Sequence, residues 1–371
     1  MASEAESDKD FFSKNQQFFC DIPIALKAAS FFSGAGLMDF GMLAGMNEGT
    51  SAGEEQLEVV YAVEKNEYAA KTYRHNIGDH IQCDDIRNID ESLPYQLGAT
   101  IHFSGTPCQG FSNVNRRSDK KVSYLENPNN LLVRQYIAKI KANPNCAVFV
   151  WENVPQLLTK GSAFFLQEIK DELVDFEITT GVLNAKDFGD AQDRERAFLI
   201  GSKIGRIELP KREKRPVKTV SEAFYGLNDS IPNQLDYTKS RNDTIERMKA
   251  IPPGSNWESL PLHLRNKGMK KGVTQSNIYK RLDPDKPACT IVNPRKCLLM
   301  PPHANRILTV RECARLFSLP DTFKFKGPLD AMQQQVANGT CVNVIKAIAK
   351  QVKNKICSYN ALLKRSLLAL V

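Results

Sequence analysis

Cys108 stands between Pro107 and Gln109 in the stretch Ser-Gly-Thr-Pro-Cys-Gln-Gly-Phe-Ser at 104–112. A thiol so placed has the setting of a nucleophile. The stretch follows an apolar run at 99–103, which puts the sulfur at the mouth of a sheet. Proline fixes the backbone, and Gly105 and Gly110 leave the chain open around the thiol. A cysteine packed as a small hydrophobe needs apolar neighbours. Here the neighbours are proline, glycine and polar residues, so the reading is a reactive thiol.

A second group of residues could hold a nucleoside. Ser-Phe-Phe-Ser-Gly-Ala-Gly-Leu-Met-Asp-Phe-Gly spans 30–41, after a first apolar run and at the start of a helical pattern. Gly34 and Gly36 permit a tight turn and close approach of a ligand. The third glycine is displaced to Gly41, so this is not the dinucleotide fingerprint, and a purely structural turn fits as well. The next apolar run ends in Glu64, where a ribose diol is usually held. Asp85 and Ile86 follow another short turn, and Asp85 could meet an adenine amine. A glycine turn and two acids in this order fit an adenosine ligand without a pyrophosphate. S-adenosylmethionine is such a ligand.

The elements that must position these residues read as α/β. Candidate strands lie at 26–32, 57–63, 99–103, 147–151, 176–183 and 197–200. Amphipathic stretches at 67–76, 131–141 and 163–173 lie among them. This rhythm predicts a doubly wound, mostly parallel sheet of the Rossmann-like type. After about residue 204 the rhythm stops, and Pro, Asn, Ser, Lys and Arg dominate to about 305. A second, smaller, irregular domain is expected there. Thr309 with Glu312 forms a capping-box pattern ahead of a helix at 309–319, and 343–353 is a further helical stretch. The resulting division is a tail at 1–21, a catalytic and cofactor-binding domain at 22–204, and a recognition domain at 205–305. A hinge at 306–330 and a return to the catalytic domain at 331–371 complete it.

The 371 residues, 42% hydrophobic and 25% charged, suffice for a sizeable core. No apolar run is long enough for a bilayer, and the acidic, polar start is unlike a signal peptide. Nine cysteines without a Cys-x-x-Cys pair, beside five histidines, argue against a zinc site or a disulfide framework. The expected compartment is a reducing cytoplasm. Net charge is +8, with basic clusters at 206–218 and 265–281. The clusters fit a polyanion partner or a solvated loop surface equally. Trp257, among turn residues at 252–257, fits a packed loop anchor at least as well as a base contact.

Taken together, these residues resemble the DNA (cytosine-5)-methyltransferase family in its stand-alone bacterial or phage form. The matching motifs run in the family's order across 31–344. They are Phe-Ser-Gly-Ala-Gly at 32–36, Glu64, Asp85-Ile86, Pro-Cys-Gln-Gly-Phe-Ser at 107–112, Glu-Asn-Val at 152–154 and Gln-Asp-Arg-Glu-Arg at 192–196. Arg281 with Pro287 and Thr290, Leu-Thr-Val-Arg-Glu-Cys-Ala-Arg-Leu at 308–316 and Gln-Val-Ala-Asn-Gly at 335–339 follow. Two departures stand out. Asp190-Ala191 occupies the place of the usual Val-Pro, and Ala337-Asn338-Gly339-Thr340-Cys341 replaces the usual Gly-Asn, small residue and Val-Pro.

The resemblance implies a catalytic set of Cys108, Glu152, Arg194 and Arg196. Cys108 would attack C6 of cytosine, which makes C5 able to accept a methyl group. Glu152 would hold N3 and the exocyclic amine and supply a proton at N3. Arg196 would contact O2, and Arg194 would lie nearer the cysteine and a phosphate. Water and a side chain remain equal candidates for the base that removes the C5 proton. S-adenosylmethionine would be held by Phe32, Ser33, Gly34, Ala35, Gly36, Leu37, Glu64, Lys65, Asp85, Ile86, Pro107, Leu131, Asn338 and Thr340. Gln109, Ser112, Arg281 and Thr290 would touch DNA. The implied partner is double-stranded DNA, with the target base flipped from the helix and the 205–305 region reading sequence. The implied setting is a cytoplasmic, nucleoid-associated monomer without metal or membrane. It would be an orphan enzyme or one beside a separately acting restriction endonuclease. Two alternatives stay open: a tRNA cytosine-5 methyltransferase on the same catalytic domain, and a catalytically dead DNA-binding regulator. The tRNA branch typically carries Pro-Pro-Cys-Gln and Cys-Phe-Thr. This chain has Thr106 before Pro107 and no Cys-Phe-Thr. Intact Cys108, Glu152 and Arg196 speak against the regulator.

Overall fold

The computed structural model describes residues 23–51, 53–107, 128–158 and 163–368. Seven strands form one sheet in the order β3-β2-β1-β4-β5-β8-β6. They are β1 (Lys27–Phe31), β2 (Glu58–Val63), β3 (Ile81–Gln82), β4 (Ile101–Ser104), β5 (Val148–Asn153), β6 (Glu177–Asn184) and β8 (Glu195–Ser202). Strands β1 to β5 pair in parallel, and β8 runs antiparallel to both neighbours. The central strands read as continuous apolar runs because both faces are covered. Ala28, Ile101, Phe103, Val148 and Val150 feed one core. Ala29, Phe31, Phe149 and Trp151 alternate onto the other.

The helices α1 (Leu37–Met46), α2 (Glu67–Asn76), α3 (Pro128–Lys141) and α4 (Ala163–Glu172) cross between strands. The chain runs outward from β1 in both directions, so β1 and β4 flank a topological switch point. In open α/β sheets the crevice outside the strand ends at such a point holds the ligand. Between β6 and β8, the short strand β7 (Gln192–Asp193) pairs with β9 (Ala288–Cys289).

The later part of the chain serves two cores. Ile207, Val220, Leu282, Ile291 and Leu299 join the large one. A small core gathers Met248, Ile251, Trp257, Leu260, Tyr279, Met300 and Ile307 around α5 (Asn242–Lys249). Trp257 is fully buried, and its indole N–H donates to the Gln275 carbonyl at 3.0 Å. It therefore anchors a loop. The chain then returns through α6 (Val310–Leu316), with the expected capping box at Thr309 and Glu312, through α7 (Leu329–Asn338), and through α8 (Val342–Leu368).

Helix α8 packs on α1 through Gly41 and Gly45. A Cβ on Gly41 would stand 2.7 Å from Ile345, and one on Gly45 would stand 2.6 Å from the Lys346 carbonyl. The displaced third glycine thus serves helix–helix approach. Among the described residues no helix is long and apolar enough to cross a membrane.

Candidate active site

A cleft of about 690 Å³ opens along the carboxyl ends of β1, β2, β4 and β5. Its floor is the turn after β1. There Phe32, Gly34 and Gly36 all have positive φ, and a Cβ on Gly36 would collide with Ile77 at 2.8 Å. Glu64 closes one side. Its carboxylate accepts from the Gly34 N–H at 3.0 Å and the Asn66 N–H at 2.7 Å, and burial raises its pKa. Asp85 accepts from Lys65 Nζ at 2.9 Å and from Arg87 Nη2 at 2.7 Å. The Arg87 guanidinium holds the Asp85 carboxyl well below the usual carboxylate range.

The other end is built by β4, β5 and β8. Glu152 is buried at the end of β5, and its Oε1 lies 3.0 Å from Arg196 Nε. Burial raises the Glu152 pKa against the pull of Arg196 and Arg194. Arg194 is also buried. It donates to the carbonyls of Ile291 at 3.1 Å, Ala337 at 3.2 Å and Gly339 at 2.8 Å. Burial and the nearby Arg196 bring its pKa down to about 9. Its guanidinium therefore ties the C-terminal return to the edge of β8, while its Nε–H has no acceptor among the described residues.

The segment leading to Pro107 is held from β5. Trp151 Nε1 donates to the Thr106 hydroxyl at 2.7 Å, and Asn153 Nδ2 donates to the same oxygen at 3.1 Å. All three residues are buried.

The expected cofactor residues come together along this cleft with two exceptions. Gly36 is in the turn but does not line the cleft, and Leu131 is exposed while its neighbour Leu132 lines it. Glu152, Arg194 and Arg196 line it as well. Cys108, Gln109 and Ser112 lie outside the described residues. Arg281 is not at a surface: it is buried, and its guanidinium donates to the carbonyls of Met248, Ile251, Pro301, Pro302 and Ala304. It organises the small core. Thr290 donates its hydroxyl to the Asp193 carbonyl at 2.9 Å.

Sequence reasoning passed over Asp39, which lines the same cleft from α1. An acid at the centre of Leu-Met-Asp-Phe was the signal available. It also passed over Arg87, two residues after Asp85.

Of the first basic cluster, Arg206, Arg212 and Arg215 pair with Glu208, Asp187 and Glu213. Of the second, Lys267, Lys270 and Lys271 are exposed, with Leu262 at 82% and Val273 at 71% exposure nearby in sequence.

Residues 26–354 match the profile described as C-5 cytosine-specific DNA methylase. The type II methyltransferase M1.HphI of Haemophilus parahaemolyticus is 31% identical over 92% of this chain and 90% of its own length. The type II methyltransferase M.NgoFVII of Neisseria gonorrhoeae is 28% identical over 88% of this chain and 86% of its own. Solved structures share the fold. One, described as a DNA modification methyltransferase encoded within an E. coli prophage, has a TM-score of 0.68 at 20% identity, over 89% of this chain and 99% of that one. The Entamoeba histolytica methyltransferase EhMeth gives 0.64 at 16% identity, over 90% and 98%.

Proposed function

The chain belongs to the C-5 cytosine-specific DNA methylase family, and on that premise we propose that it methylates carbon 5 of a cytosine flipped out of duplex DNA, using S-adenosylmethionine. The observation that carries this reading is the single cleft that joins the Glu64 side to the Glu152–Arg196 pair. A cleft of about 690 Å³ suits a nucleoside with an amino-acid arm. Glu64 would hold the ribose hydroxyls, Ile86 and Phe32 would flank the adenine, and Asn338 and Thr340 would close the site. Bound there, S-adenosylmethionine supplies the methyl group.

The chain's own residues divide the remaining work. Cys108 attacks C6 of the target ring as a thiolate, and electrons move toward N3. Glu152 donates a proton at N3, which relieves the developing charge, and burial shifts the group toward its protonated form. Arg196 holds Glu152 through Nε, donates through Nη1 to the Glu195 carbonyl at 2.7 Å, and would offer Nη2 to the ring's O2. Once C5 carries the methyl group, N3 returns its proton to Glu152, and loss of the C5 proton to water or a side chain expels the thiolate and restores the ring. Trp151 and Asn153 fix Thr106, two residues before the nucleophile. Arg194 acts as a positioning residue through the Ala337 and Gly339 carbonyls.

Residues 205–305 supply target recognition in this reading, with phosphate contacts from Lys267, Lys270 and Lys271. The names of the relatives favour a restriction–modification setting. The test is incorporation of labelled methyl groups from S-adenosylmethionine into duplex DNA and tRNA in parallel. Incorporation into DNA supports the reading. Incorporation into tRNA alone overturns its substrate, and incorporation into neither overturns the activity.

A further inference from the structure

Asp39 sits in the first turn of α1 and is completely buried at the floor of the cleft, among Ser30, Ser33 and Gly34. Its carboxylate accepts from the Ser30 hydroxyl at 3.0 Å and the Tyr73 hydroxyl at 2.7 Å. The Ser30 hydroxyl in turn lies 2.8 Å from that of Ser33. Both donors to Asp39 are neutral, and no cation is among its partners in the described residues.

The surroundings do not supply one. Behind Tyr73, His80 Nε2 lies 2.9 Å from the same hydroxyl, and burial lowers the His80 pKa toward the neutral ring. On the other side of the turn stands Glu64, a second acid. Burial brings the Asp39 pKa up to about 6, so the group is still ionised near pH 7.5. A buried carboxylate with no counter-charge is costly. A cation entering the cleft would offset that cost.

The proposed cofactor is such a cation. Its adenosine end is neutral, and its methionyl end carries a sulfonium, an ammonium and a carboxylate, one net positive charge. Resting on the cofactor reading above, we infer that Asp39 is the buried counter-charge for the methionyl end and sets the chain's preference for charged over neutral adenosine ligands. It acts through the floor of the cleft and takes no part in the chemistry at cytosine.

The test is equilibrium binding by calorimetry to the full chain at pH 7.5. The probes are S-adenosylmethionine and 5′-methylthioadenosine, which keeps the adenosine and the thioether but carries no charge. Asp39→Asn should raise Kd for S-adenosylmethionine about tenfold or more, the effect of one unit charge acting across a protein interior. Kd for 5′-methylthioadenosine should move less than about threefold, since that ligand offers no charge to attract. The exchange Ser30→Asp with Asp39→Ser puts the carboxylate on the other partner of the same pair. It should keep the wild-type ratio of the two affinities, and it carries the test if Asp39→Asn fails to fold. Equal losses for both ligands, no loss for either, or an exchange variant without the preference would overturn the inference. A wild-type chain that binds neither ligand would overturn the cofactor reading itself, and the inference with it.

Discussion

Asp190 gives the most quantitative test of how this chain departs from its family's pattern. The residue is buried in the turn before β7, and its two carboxylate oxygens accept from the Asn343 and Val344 N–H groups at 3.2 Å each. Those groups belong to the first turn of α8, whose leading Val342 N–H is already taken by the Phe317 carbonyl at 3.0 Å. Asp190 therefore caps, from a distant part of the chain, a helix end that would otherwise bury unpaired donors. Burial outweighs these bonds and pushes its pKa up to about 7, from an ordinary 3.8. The sign of the consequence follows. Between those two values the folded chain keeps a proton that the unfolded chain has lost, so stability falls as pH rises. The contribution is complete below the unfolded value and gone above the folded one. One pKa unit is worth about 1.4 kcal/mol, so wild type should lose about 2–3 kcal/mol between pH 5 and pH 8 through this group alone. Asp190→Asn removes the titration. Urea unfolding of both proteins across pH 5–8 isolates the term, because the other acids cancel in the difference. The gap in stability between wild type and variant should shift in the variant's favour by that amount as pH rises. A gap that stays constant would show that Asp190 does not hold a proton in the folded chain.

Three further outcomes are expected. Glu152→Gln keeps a partner for Arg196 but carries no transferable proton, so single-turnover methyl transfer should slow by about 10²–10⁴-fold while cofactor Kd is unchanged. Trp151→Phe removes one hydrogen bond from the segment before Cys108 and Thr106→Val removes two, and each should lower kcat by about two- to tenfold. The double variant should be little worse than Thr106→Val alone, because that change already deletes the Trp151 contact. Lys270→Ala should weaken binding to all DNA sequences alike and lower the slope of log K against log salt by about one, read from filter binding at several ionic strengths.

Elements with strong periodicity were legible from sequence. The expected strands at 26–32, 57–63 and 176–183 lie within a residue of β1, β2 and β6, and α2 matches the expected 67–76. The strand expected at 147–151 runs on to Asn153, and that at 197–200 spans Glu195–Ser202. Both carry their functional charges past the apolar core of the pattern, at Glu152 and Arg196, where hydrophobicity gives no signal. Helix α8 extends to Leu368, well beyond the expected 353, because its apolar face continues along α1 and then against the Ile24 segment.

Charge was the least legible property. Arg281 read as a DNA-facing residue, yet its guanidinium is committed to carbonyls of distant loops, and Arg194, though it lines the cleft, spends its two Nη groups on backbone carbonyls. Nothing local predicts such partners. The motif departures make sense only in three dimensions. Asp190 meets the start of α8 just after Cys341, whose thiol is pushed well up by burial and by Asp190. Gly339 leaves room for Leu37, since a Cβ there would stand 2.1 Å from the leucine Cδ2.

The central claim is that this cleft methylates cytosine through a covalent bond from Cys108, and trapping that bond tests it most directly. Duplex DNA carrying 5-fluorocytosine at the target site should be incubated with the chain and S-adenosylmethionine, then resolved under denaturing conditions. The fluorine cannot leave as a proton does, so the intermediate should accumulate as a stable protein–DNA adduct with wild type. Cys108→Ser should give none, while still binding the same DNA. An absent adduct with wild type, or methyl transfer by the serine variant, would contradict the account.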